Sequence, residues 1–192
     1  EREAAKPPPD ALNVPARSVQ RIGVIGAGTM GGGISMAFAN AGYPVTLMEV
    51  NEVALNKGLE TIRRNYAGTV SKGKLDEREM HVRMARIHGV TDMHQLADAD
   101  LVIEAAFEDI AVKHEIFMQL DQIAKQGAIL ATNTSRLDIN EIAAVTRRPG
   151  DVVGLHFFSP ANVMRLLEVV RGKATASDVI TTVLQGARRI GK

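Results

Sequence analysis

Short apolar runs recur along the chain, separated by longer amphipathic stretches. Ile22 to Ile25, Val45 to Met48, Leu101 to Ile103, Ala128 to Ala131 and Val152 to Leu155 each have the length of a strand, and most are joined by segments with apolar residues at helical spacing. Strands joined by helices predict an α/β fold with a doubly wound, mostly parallel sheet, buried on both faces. One segment, Glu52 to about Met84, is rich in Lys, Arg and Glu at helical spacing, which predicts a helical insertion after the second strand with a solvated charged face. Leu166 to Val170 predicts one more strand, and Ser177 to Ile190 a last helix capped by Ser177. Before Arg21 neither periodicity is present. Residues 1–18 contain Pro7, Pro8, Pro9 and Pro15 and read as a linker, leaving 19–192 as a single domain.

Composition narrows the function classes. The 192 residues are 45% hydrophobic and 23% charged, enough for one large core. Lys and Arg number 23 against 22 Asp and Glu, so no overall field draws the chain to nucleic acid or acidic membranes. No apolar run approaches the roughly 18 residues that a membrane-spanning helix needs, and EREAAKPPPD is unlike a signal peptide, so a soluble protein is expected. The absence of Cys removes disulfides, thiolate metal ligands and thiol nucleophiles, and no metal site is expected. With 4% aromatic residues and no Trp, stacking platforms for single-stranded nucleic acid are not expected either.

The first strand runs directly into Gly26-Ala27-Gly28-Thr29-Met30-Gly31, a G-x-G-x-x-G at a strand-to-helix junction. In that context Gly26 would make the tight turn, Gly28 would allow close backbone approach to a pyrophosphate, and Gly31 would allow close packing of helix on strand. The amides opening the helix from Gly31 to Asn40, with Thr29 and Met30 before them, would hold the phosphates. Glu49 ends the second strand about 20 residues beyond the turn, where a carboxylate accepts hydrogen bonds from the adenine ribose hydroxyls and repels a 2′-phosphate. A Rossmann-like domain preferring NAD over NADP follows, with a plain surface carboxylate as the alternative reading of Glu49.

Three more features fall at the carboxyl ends of later strands, where open α/β sheets bind ligands. Leu101 to Ile103 leads into Glu104-Ala105-Ala106-Phe107-Glu108 and then Lys113; Ile129 to Ala131 leads into Thr132-Asn133-Thr134-Ser135; Val152 to Leu155 leads into His156. Singly, each has an ordinary structural reading, such as a core histidine or a helix cap. Together they face the nicotinamide end of a cofactor seated on the first turn. A returning strand could bring Glu168 beside His156, fixing the imidazole tautomer and freeing the other nitrogen to take a hydroxyl proton during alcohol oxidation. Spacing by itself leaves that pairing open.

At these residues the sequence resembles the NAD-binding domain of the L-3-hydroxyacyl-CoA dehydrogenase family. The resemblance runs from about Arg21 to Lys192 and rests on IGVIGAGTMGGGI, VIEAAFEDIAVK, ATNTS and, most specifically, GLHFFSPANVMRLLEVVRG. It implies His156 as catalytic base, Glu168 as its partner and Ser135 as a hydroxyl contacting the substrate oxygen. It also implies Glu49, Glu108, Lys113 and Asn133 on the cofactor, Glu108 and Lys113 toward the nicotinamide ribose, and an acyl-CoA substrate. The family's further Asn, in a G-F-x-x-N-R sequence opening a helical second domain, has no counterpart here, which marks the chain as the cofactor-binding half of a dehydrogenase that needs a C-terminal partner domain. H-F-F-S-P is similar to the multifunctional β-oxidation proteins, in which an enoyl-CoA hydratase/isomerase domain comes first; the proline lead-in would then be an interdomain linker. The alternatives are a single-function 3-hydroxybutyryl-CoA dehydrogenase and a non-catalytic structural relative. A bacterial cytoplasmic setting is expected ahead of a peroxisomal one. Arg136 and Asn162 depart from the family's usual residues on the substrate side.

Overall fold

The computed structural model describes residues 7–192. Seven strands form one sheet: β1 (Ile22–Ile25), β2 (Val45–Met48), β3 (Ile87–Val90), β4 (Leu101–Glu104), β5 (Ile129–Thr132), β6 (Val152–Phe157) and β7 (Leu167–Val170). Their spatial order is β3-β2-β1-β4-β5-β6-β7. All neighbours are parallel except β6 and β7, which run antiparallel. The order reverses between β1 and β4, creating the crevice at the strands' carboxyl ends where ligands bind in this class. Every residue of β1, β4 and β5 is buried, as expected of central parallel strands covered on both faces.

The covering helices are α1 (Thr29–Asn40), α2 (Glu52–Ser71), α3 (Glu77–Ala85), α4 (Ile110–Ile123), α5 (Ile139–Ala144) and α6 (Ser177–Arg189). Asp and Asn supply caps where the sequence has them: Asn51 accepts from the Ala54 amide, Asp76 from Glu79 and Asp109 from Ala111 and Val112. The expected charged insertion is α2 and α3. Its exposed surface is mostly polar, with Val53 and Val82 exposed among the charges, while Leu55, Ile62, Tyr66 and Met80 turn inward, and the Tyr66 hydroxyl donates to Asn40 Oδ1 at 2.8 Å.

Three expectations change. Strand β3 escaped the reading because only its two ends are buried; His88 is exposed, and Gly89 leaves room for Leu55 and Leu59 of α2, whose side chains would lie 3.1 and 2.9 Å from a Cβ there. Ser177 is not the cap of α6: Ala176 is, without a side-chain bond, and Ser177 Oγ instead donates to Asp10 Oδ2 at 2.5 Å. Of the expected linker, residues 1–6 lie outside the described residues, but 7–18 lie against the domain. A short 3-10 turn, Pro9–Ala11, buries Ala11 near α6, and Arg17 ion-pairs Asp151 at 2.7 Å and Asp178 at 2.8 Å.

The Arg17 guanidinium holds the Asp178 carboxyl below its ordinary range against the opposing effect of burial. A carboxyl depressed in the folded state stabilises above its unfolded value, near 4, and that stability is lost as pH falls. Arg17→Met should therefore lower the melting temperature at pH 7, and the gap to the wild type should narrow as the pH is taken below about 4; thermal denaturation followed by circular dichroism across pH checks this.

Candidate active site

The glycine turn is fixed by close approach. Gly26 has φ of 96°, and a Cβ there would meet the Ala105 carbonyl oxygen at 2.8 Å. A Cβ on Gly31 would lie 1.8 Å from the Gly26 carbonyl oxygen, so any side chain forces turn and helix apart. A Cβ on Gly28 would meet nothing within 4 Å. Gly28 is the N-cap of α1 and offers no side-chain acceptor, so the amides of Thr29, Met30 and Gly31 open the helix uncapped. The helix starts two residues earlier than the spacing suggested, placing Thr29 and Met30 within its first turn.

Next to this turn is a cleft of about 520 Å³ lined by Gly28, Met30, Glu49, Met93, Ile116 and Gln119, among others. Glu49 follows β2 and turns back to the loop: Oε2 accepts the Ala27 amide at 2.9 Å and Oε1 the Val50 amide at 2.7 Å. The residues fit a dinucleotide, with uncapped amides and an unobstructed Gly28 for the pyrophosphate, and a carboxylate above an apolar slot for adenosine. The slot's far wall was missed in the sequence. Val112, Ile116 and Gln119 share one face of α4 at helical spacing, a pattern that reads equally as core packing.

Beyond the turn, two carboxylates organise the ends of β4 and β5. Glu104 is completely buried. Both its oxygens accept from Lys113 Nζ at 2.8 Å, and it also accepts from Thr132 Oγ1 at 2.6 Å and from the Ala106 amide at 2.7 Å. Glu108 stands nearer the surface, its Oε1 accepting from Thr134 Oγ1 at 2.6 Å, the Ser135 amide at 2.9 Å and Ser135 Oγ at 3.3 Å. Burial works to raise the Glu108 carboxyl, but these bonds and the nearby Lys113 ammonium hold it below its ordinary range. Lys113, which the resemblance places near a ribose, has a side chain 1% exposed, paired to Glu104 and 3.6 Å from Glu108 Oε2. Asn133 Oδ1 accepts the Phe157 amide at 2.8 Å, tying the end of β5 to the end of β6. Glu104 and Thr132 were not singled out as site residues. The only signal was a carboxylate closing an otherwise apolar strand.

The pairing left open by spacing is present. His156 and Glu168 stand directly opposite in the antiparallel register of β6 and β7, so both side chains leave the same face of the sheet. His156 Nδ1 lies 2.8 Å from Glu168 Oε2. With the carboxylate accepting from Nδ1–H, the Nε2 atom keeps its lone pair and can take a proton. The Phe158 ring, its centroid 4.5 Å from the imidazole centroid, bounds the site on one side.

Residues 21–192 match the family model described as 3-hydroxyacyl-CoA dehydrogenase, NAD binding domain. The chain belongs to the 3-hydroxyacyl-CoA dehydrogenase family. This NAD-binding domain is 40% identical to a 3-hydroxybutyryl-CoA dehydrogenase of Clostridioides difficile, over 90% of the chain and 61% of the relative. It is 39% identical to a peroxisomal fatty acid beta-oxidation multifunctional protein of Arabidopsis thaliana, over 92% of the chain and 24% of that protein. The crystal structure of 3-hydroxybutyryl-CoA dehydrogenase from Escherichia coli K12 superposes with a TM-score of 0.89 at 42% identity, covering 92% of the chain and 37% of that structure. The domain thus spans between a quarter and about three-fifths of these relatives' length.

Within this NAD-binding domain Glu104 has no exposure, so losing Lys113 would leave a buried carboxylate without its cation. Breaking a buried pair from one side costs about 3–5 kcal/mol. Lys113→Met should lose stability of that order in urea denaturation at pH 7, and the double variant Lys113→Met/Glu104→Gln should recover part of it.

Proposed function

We propose that this domain serves an NAD-dependent 3-hydroxyacyl-CoA dehydrogenase, oxidising L-3-hydroxyacyl-CoA to 3-oxoacyl-CoA in fatty-acid β-oxidation. The observation that carries the proposal is the 2.8 Å pairing of His156 with Glu168, at the end of the sheet where Ser135 and Asn133 also stand. Family membership supports it, as does the cleft that leads from the glycine turn to Ala106 and Phe107.

In this reading Glu168 holds His156 in the tautomer whose Nε2 faces the substrate, and Nε2 takes the proton of the 3-hydroxyl. Ser135 Oγ, presented by the Glu108-anchored turn, hydrogen-bonds the same oxygen and stabilises the charge developing on it. NAD, when bound, supplies the acceptor for the hydride leaving C3. Gly26, Gly28, Thr29, Met30 and Gly31 hold its pyrophosphate, Glu49 its adenine ribose, and Asn133 and Glu108 line the nicotinamide end. Lys113 belongs to the same end through Glu108, whose carboxylate it steadies from beneath.

The acyl-CoA pocket is assigned to a downstream helical domain, consistent with the relatives' greater length. The multifunctional form, with an enoyl-CoA hydratase/isomerase domain upstream, is the parent we propose. A bacterial cytoplasmic setting is the one we propose, with a peroxisomal setting as the alternative: the bacterial relatives include 3-hydroxybutyryl-CoA dehydrogenases, and the multifunctional relatives named are plant peroxisomal proteins. Among the described residues no helix is long and apolar enough to cross a membrane. The single-function form remains the second reading, because a 3-hydroxybutyryl-CoA dehydrogenase is matched over 61% of its length.

Acetoacetyl-CoA-dependent NADH oxidation by the full-length protein tests the assignment. His156→Ala should lower kcat by about 10²–10⁴-fold with NADH affinity unchanged, since general acid–base catalysis is worth that much; activity within a few-fold of wild type would remove His156 from the role of base. The Glu49 assignment has its own check. Fluorescence titration should show NADH bound in preference to NADPH, and Glu49→Ala should weaken NADH binding and shrink the preference.

A further inference from the structure

The far wall of the dinucleotide cleft carries polar groups that no step above uses. Val112, Glu115, Ile116 and Gln119 of α4 all line the cleft, and their spacing of three and four residues puts them on one face of the helix. Val112 and Ile116 are half-buried, while Glu115 and Gln119 are exposed. Together with Met48 and Met93, the two apolar residues make a slot that would hold any flat ring. Apolar walls do not tell one purine from another. That choice falls to the few polar atoms lining the slot, and at this wall they belong to Glu115 and Gln119.

Glu49, the other carboxylate of the adenosine half, already has both oxygens on the main chain, at the Ala27 and Val50 amides. Glu115 and Gln119 are held less firmly. Gln119 Nε2 lies 3.5 Å from Glu115 Oε1, at the outer limit of a hydrogen bond, and among the described residues neither side chain has another partner. The direction of this contact is nevertheless fixed by chemistry, because a carboxylate only accepts. The nitrogen of the Gln119 amide faces Glu115, and Oε1 is the end turned away from it. The acceptor of the amide is thereby the end left for a ligand in the cleft.

We propose that Gln119, oriented by Glu115, reads the base of the bound dinucleotide and selects a 6-aminopurine over a 6-oxopurine; this deepens the cofactor reading above and rests on it. The amino group of adenine donates to Gln119 Oε1, and the second hydrogen on Nε2 is free for a ring nitrogen of the same edge, the pairing that side-chain amides make with adenine. Hypoxanthine carries a carbonyl oxygen at that position. Acceptor then meets acceptor, and turning the amide over to donate would point Oε1 at the Glu115 carboxylate. Glu115 touches no atom of the base. It is a positioning residue that fixes which end of the amide the base meets.

Fluorescence titration of the full-length protein with NADH and with reduced nicotinamide hypoxanthine dinucleotide reads this choice without turnover. The wild type should bind NADH about three- to tenfold more tightly, the net worth of one hydrogen bond. Gln119→Leu should weaken NADH by about that factor and leave the hypoxanthine analogue within about twofold, so that the preference disappears. Glu115→Gln, which lets the amide turn over, should shrink the preference in the other way, by tightening the analogue with NADH little changed. A merely structural role for either residue would move both dinucleotides together, as Glu49→Ala should. Both side chains are exposed, and melting curves check that the variants fold; should Gln119→Leu fail to fold, Gln119→Ala is read in the same way. Equal binding of the two dinucleotides by the wild type, or a preference that survives Gln119→Leu, would overturn the proposal. A preference unchanged in Glu115→Gln would overturn the part given to Glu115. A wild type that bound neither dinucleotide would overturn the cofactor reading itself, and this proposal with it.

Discussion

A fully buried carboxylate, Glu104, sets much of the arrangement at the far end of the sheet. It ends β4 and gathers donors from α4 through Lys113, from β5 through Thr132 and from its own loop through the Ala106 amide. An ion pair of this kind adds little net stability over well-packed apolar side chains, because desolvation offsets most of the attraction. What it contributes is specification. A buried charge tolerates few arrangements of its neighbours, so the end of β4, the start of α4 and the end of β5 are held in one mutual position. Glu108 then receives the Thr134 and Ser135 donors on a frame already fixed. The candidate substrate hydroxyl contact, Ser135, is in this way linked to the buried Glu104 through its hydrogen bonds to Glu108 and the ion pair of Glu108 with Lys113.

Missing side chains supply the complementary constraint at the cofactor end. Gly31 packs on the carbonyl of Gly26, and Gly58 of α2 packs on Ala27, where a Cβ would meet the Ala27 carbonyl oxygen at 2.4 Å. The glycine turn is thus pressed between two helices, and its amides point where the crevice opens. Gly33 carries the same helix against Ala161, so one element, α1, touches both the turn that fits a pyrophosphate and the loop that follows the candidate base. Close backbone packing leaves such a helix few alternative positions.

The lead-in shows how far a proline-rich composition can mislead about packing. Residues 7–18 carry the turn-forming prolines of a linker, yet Asp10, Ala11 and Arg17 meet Ser177, Thr181, Asp178 and Asp151 on or near α6. None of those partners lies within reach of sequence pattern, since they are more than a hundred residues away. A segment arriving from upstream would accordingly be fastened to the face of α6 before the first strand begins.

The sequence by itself determined the α/β class, the glycine turn and the positions of the chemistry-bearing residues. Those features are written in local terms, as apolar runs of strand length, glycines at fixed offsets and polar residues just past strand ends. The central parallel strands declared themselves because burial on both faces makes them continuously apolar. Edge strand β3 did not, because half of it faces water and its glycine makes room for side chains of α2. Only the tertiary structure decided that His156 and Glu168 are cross-strand neighbours and that Lys113 lies beneath Glu108 with its charge turned to Glu104. Each of these is a contact between distant segments, fixed by strand register and by the balancing of buried charge, and neither quantity exists until the chain has closed on itself.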